Sequence, residues 1–131
     1  HYVPLGGTVG GTQPTFTGDP LFTGSYTRIG NLCFFQIDVA FTNILTFGTG
    51  QYYINLPFNA EHFIAQRNGI LTDFSASTKY QISGIVQAGS NQLMLYTQTS
   101  NGLDTAFEHN VPHQLAVEDS FHIAGTYEIM V

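Results

Sequence analysis

The densest cluster of metal-type donors in the chain is Glu108-His109-Asn-Val-Pro-His113. Imidazole and carboxylate groups are the donor types a zinc-like ion takes. Pro112, however, keeps the segment from forming the helix that would bring His109 and His113 onto one face. Only a symmetry axis shared by several copies would gather such histidines around an ion. Within one chain they read as loop side chains meeting water or backbone, and no metal is expected. Glycoside hydrolysis needs two carboxylates at a set separation. Asp73, Asp104, Glu108, Glu118 and Asp119 are available, but no spacing marks a pair, so they read as solvated loop acids. No G-x-S-x-G, H-E-x-x-H or phosphate-loop pattern occurs. The glycine-rich run Gly6–Gly11 lacks the lysine and following helix that a phosphate cradle requires. The chain therefore reads as a non-enzyme with no cofactor.

What remains is recognition chemistry. Aromatic faces can stack on sugar rings, and amides can bond sugar hydroxyls. Tyr52, Tyr53 and Tyr96 are candidate platforms. Asn91 and Asn101 sit in the turn segments 88–91 and 99–104, where a rigid β scaffold usually carries its recognition loops.

These side chains must be held by strands. In Cys33–Thr42, Cys33, Phe35, Ile37, Val39 and Phe41 alternate with Phe34, Gln36, Asp38, Ala40 and Thr42. Successive strand side chains point to opposite faces, so one face is apolar and the other mostly polar. Gly30-Asn31 predicts a turn or bulge dividing Tyr26–Thr42. Arg67-Asn68-Gly69 predicts a hairpin turn between two apolar segments. Ser120–Val131 alternates again, with Phe121, Ile123, Gly125, Tyr127 and Ile129 on one face. The pattern predicts an all-β, antiparallel, jelly-roll-like sandwich of about eight strands. It spans residues 25–131 and follows an extended Gly/Thr/Pro-rich arm, residues 1–24. That arm lies on the domain or on a neighbour and carries a short strand near Thr15.

Composition narrows the partners. Of 131 residues only 9% are charged, against roughly 25% in ordinary soluble domains. The net charge is −6, and Arg28, Arg67 and Lys79 are the only lysines and arginines. Phosphate neutralisation needs a basic footprint, so nucleic acid is excluded as a partner. No apolar run is long enough for a transmembrane helix. Cys33 is the single cysteine, which excludes an internal disulfide. Phe34, Tyr53, Met94 and Met130 fall opposite the core faces of their strands, and apolar residues so placed mark contact with other subunits.

Three segments in order carry a family likeness: Gly24-Ser-Tyr-Thr-Arg-Ile-Gly-Asn-Leu32, Gly48-Thr-Gly-Gln-Tyr-Tyr-Ile-Asn-Leu-Pro-Phe-Asn-Ala60 and Phe121-His-Ile-Ala-Gly-Thr-Tyr127. Together they resemble the small β-sandwich domains at the distal ends of tailed-bacteriophage fibres, and related phage structural proteins. Those domains read Y-x-[KR]-[IV]-G, a strand, G-x-G, I-x-L-P-F and a closing S/A-G-x-Y strand. The likeness runs from Gly24 to Val131. It implies a homotrimer on the virion surface, host attachment through a receptor glycan or protein, and no catalytic set. It also implies that residues 1–24 connect to other virion proteins. A capsid-decoration or head-fibre protein docking through that arm is an alternative, because no repetitive shaft is present. A stand-alone carbohydrate-binding module or lectin is another.

Overall fold

The computed structural model describes residues 6–16, 21–41, 44–98, 104–112 and 114–130. Among them the fold is all-β and antiparallel, with no helix. Eleven strands occur in this order: β1 (Gly6–Val9), β2 (Thr15–Phe16), β3 (Leu21–Ile29), β4 (Leu32–Ala40), β5 (Ile44–Thr46), β6 (Gln51–Asn55), β7 (Ile64–Asp73), β8 (Thr78–Val86), β9 (Gln92–Gln98), β10 (Asp104–Ala106) and β11 (Ser120–Glu128). Against the expected eight, the short strands β1, β2, β5 and β10 are added, while the two segments flanking Asn68-Gly69 merge into β7.

One curled sheet runs β1-β6-β9-β8-β7-β11-β4-β3, with β10 also on β9, and β2 pairs with β5 apart from it. β11 sits between β7 and β4, so the last strand locks the middle of the sheet. On β4 the alternation is realised without a break. Cys33, Phe35, Ile37 and Val39 are buried, while Leu32, Phe34, Gln36 and Asp38 are exposed. The β3–β4 hairpin turns through Gly30-Asn31, and Gly30 has a φ of 61°. A two-residue connection with glycine at its first central position matches the natural strand twist.

Residues from the two ends of the sheet face one another across a single core. Gly7, Tyr52 and Ile54 share a cavity of about 20 Å³ with Phe22, Val39 and Phe121. A relay of rings joins the layers: Tyr52 meets Phe107 at 5.0 Å between centroids, Phe107 meets Phe121 at 5.6 Å, and Phe121 meets Phe41 at 5.9 Å. Offset and edge contacts of this kind add to the burial of large apolar area. The Tyr127 hydroxyl donates to the Phe58 carbonyl at 2.9 Å and accepts from the Phe58 amide at 3.0 Å. It ties the end of β11 to the Leu56-Pro-Phe58 segment.

Two local expectations are corrected. Asn68-Gly69 does not reverse the chain. β7 continues through it, because β8 pairs with both halves, from Ile64↔Val86 to Asp73↔Thr78. Between Gln66↔Gly84 and Gly69↔Ile82 the β7 side has one extra residue, which makes a bulge. Gly69 is needed there because a Cβ would lie 2.6 Å from the Ile82 carbonyl oxygen. Asp73, which closes β7 and is 8% exposed, is not a solvated loop acid, and neither is Asp119. Asp119 is 1% exposed, and its carboxylate accepts from the Phe74 amide at 3.1 Å and the Ala116 amide at 2.9 Å.

In the stretch expected to be an arm, β1 pairs with β6 and β2 with β5. The Gln13 amide donates to the Thr8 carbonyl at 2.6 Å and its oxygen accepts from the Thr8 amide at 2.9 Å. Residues 6–16 thus lie along the domain.

Candidate functional site

The outward face of β3, β4, β11, β7 and β8 carries a groove. Two rungs of the ladder form its floor. One reads Thr23, Asp38, His122, Ile70, Gln81 across the five strands, and the next reads Ala40, Ser120, Thr72, Lys79. All of these but Gln81 line a concavity of about 550 Å³. It adjoins a smaller one of about 170 Å³ beside Ser25 and Gln36, and another of about 410 Å³ beside Asn68 and Gln81. The bulge in β7 lies beside Ile70, where a bulge bends a strand and re-aims its side chains.

At the centre of the groove, Asp38 Oδ1 lies 2.7 Å from His122 Nδ1. A carboxylate accepts, so Nδ1 carries the proton, and the Nε2 edge of the ring is left to the groove. The pair is solvent-exposed, so it adds little stability. Its consequence is orientation, since the imidazole is held in one tautomer and one plane. Sequence reading missed this pair because the two residues are 84 positions apart and meet only through the β4–β11 register.

A second feature stands at the far end of the same face. Ile29 and Leu32 are paired across the β3–β4 hairpin, and Phe34 follows Leu32 by two residues. They are 64%, 47% and 45% exposed, a contiguous apolar patch. Phe34 lies four residues from Asp38 along β4, roughly 13 Å at strand rise. The patch and the groove centre are therefore separate places on one sheet face.

The ligand-facing candidates are scattered. Tyr52 is a core residue rather than a platform: it is 6% exposed, its hydroxyl donates to the Phe47 carbonyl at 2.6 Å, and burial raises its phenol pKa above the ordinary value. Tyr53 and Tyr96 are half-buried on the outer face, opposite Met94 and Ser83 respectively. Asn91 braces its turn, donating from Nδ2 to the Leu56 carbonyl at 3.1 Å. Asn101 lies outside the described residues. None of the described four lines the groove.

The subunit-interface candidates fall in three places. Phe34 belongs to the hairpin patch. Tyr53 and Met94 are cross-strand neighbours, with Ile85 the next residue along that rung. Met130 is exposed beyond β11, where its amide donates to the Asn59 carbonyl at 2.9 Å. His109 is half-buried, with an Nδ1 that has no hydrogen-bond partner among the described residues. His113 lies outside them. Among the described residues no group of three or more His, Cys, Asp or Glu side chains could hold a metal ion.

No family model, no curated protein and no solved structure matches the chain.

Proposed function

We propose that this chain is a structural module of a bacteriophage virion: a homotrimeric, fibre-tip β-sandwich displayed on the particle and contacting the host surface. The observation that carries this reading is the Ile29–Leu32–Phe34 patch. Three large apolar side chains stand together on a surface with few charges, at a hairpin that ends the sheet. An isolated domain gains nothing by exposing them, and an exposed cluster of this kind marks a contact surface. In a closed cyclic assembly each copy presents one surface to the next, and a threefold arrangement buries every patch. The three-segment likeness to phage fibre domains supports the same reading. Host contact would be multivalent, with several weak sites acting together.

The test is immunogold electron microscopy of particles from the source culture, with antibody raised against the chain. Gold at fibre ends is the expected result. Gold spread over the shell would favour a capsid-decoration protein instead, and particles free of gold would overturn the virion assignment.

A further inference from the structure

We infer that the groove crossing β3, β4, β11, β7 and β8 is a binding site for an uncharged oligosaccharide, with the Asp38–His122 pair at its centre. This rests on the host-contact part of the proposed function and assigns that contact a place and a ligand class.

The shape comes first. The groove spans five strands, four inter-strand spacings, roughly 19 Å. A path of that length across a sheet suits an extended chain ligand better than a compact metabolite. The chemistry comes second. Asp38 supplies acceptor oxygens, Lys79 supplies donors, and Ser120 and Thr72 supply hydroxyls that do both. With Nδ1 turned to Asp38, the His122 Nε2 adds a further polar edge. Alternating donors and acceptors complement a row of ligand hydroxyls, each of which donates and accepts. Ile70, half-exposed beside His122 on the first rung, offers an apolar ledge for the C–H face of a sugar ring.

Charge selects among ligands. Asp38 stands in the floor and, among the described residues, Lys79 is the one lysine or arginine lining it, which gives a phosphate, sulfate or acidic sugar no surplus of cations there. The net charge of −6 opposes polyanions further. No Phe, Tyr or Trp side chain stands on either rung, so each site is weak. Weak sites suit a module that acts in several copies. The groove centre is also clear of the hairpin patch, so burial of the patch in an assembly leaves it open.

The experiment is a titration of the isotope-labelled full chain, followed by ¹H–¹⁵N shifts, with malto-, cello-, manno- and chito-oligosaccharides as probes. The expected result is saturable shifts at Asp38, Ile70, Thr72 and His122 with at least one probe. Asp38→Asn and His122→Ala are expected to weaken that binding about tenfold, the loss of one good hydrogen bond. Both residues are exposed, so both variants fold, which the unchanged remainder of the spectrum verifies. Absence of shifts with all four probes overturns the inference, as do shifts confined to Tyr53, Tyr96 and Asn91. Equal binding by wild type and both variants overturns the central role of the pair. Sedimentation of the same samples separates the two readings. A trimer that binds no probe sinks the groove alone, and a monomer that binds leaves the groove standing and sinks the assembly.

Discussion

Asp119 is a buried polar side chain whose loss the structure makes costly. It follows Glu118, which has a φ of 86°, and it lies immediately before β11. Its carboxylate caps two amides from different segments, Phe74 at the head of the β7–β8 turn and Ala116 in the loop before β11. Its backbone carbonyl also accepts from the Phe41 amide at 3.1 Å, at the end of β4. Asp119→Ala leaves that backbone bond intact but strips both amides of their partner in a site 1% exposed. A hydrogen bond to a charged group is worth about 1.5–3 kcal/mol, so losing two costs roughly 3–6 kcal/mol. At this chain length 1 kcal/mol corresponds to about 4 °C, so the melting temperature falls by roughly 15 °C. Asp119→Asn retains one acceptor oxygen and turns a donor toward the other amide, so about half that loss is expected. The assay is calorimetry at fixed protein concentration, since any assembly makes the melting temperature concentration-dependent. A drop of less than about 4 °C for Asp119→Ala would refute the reasoning, because it would mean that neither amide depends on the carboxylate.

Other perturbations have equally definite outcomes. Gly84→Ala places a Cβ 2.7 Å from both Cγ and Cδ1 of Leu93, which is fully buried. Overpacking of this kind costs about 1–3 kcal/mol, which a shifted urea midpoint with unchanged slope will register. Burial pushes the Cys33 thiol above its ordinary value, and the side chain is 0% exposed. It should stay silent to Ellman's reagent in the native chain and react on unfolding. Both Cys33 and Tyr52 have raised folded-state values. Each therefore contributes stability that is fully present below its unfolded value and is lost as the pH climbs from there toward its folded value. Stability should fall on the alkaline side, from about pH 8.5 upward for the thiol and above about pH 10 for the phenol. Urea midpoints at neutral and alkaline pH check this, and Cys33→Ala should remove the earlier part of the fall.

The strands were legible wherever one face alone was apolar. Phe35, Ile37 and Val39 against Gln36 and Asp38 leave no choice of face, and Gly30-Asn31 marks the reversal before them. The same local grammar misled at Asn68-Gly69, because those residues serve a bulge as readily as a turn. Only the continuous partner strand β8 decides between the two. Tyr52 stands in step with Ile54 and Leu56, both buried, so the two-residue period carries its burial even though its aromatic type suggested a platform. Asp119 looked like a loop acid because its partners, the Phe74 and Ala116 amides, are backbone groups that carry no sequence mark. The groove was illegible for a related reason. Its floor is a rung through β3, β4, β11, β7 and β8, and the register between strands so far apart in the chain leaves no spacing to read.

The account turns on the hairpin patch being a subunit contact. Its most direct test is light scattering of the full chain beside a Leu32→Ser/Phe34→Ser variant, both checked for β content by circular dichroism. The account predicts a trimer for the first and a folded monomer for the second. A wild-type monomer, or a trimer that survives both substitutions, would contradict it.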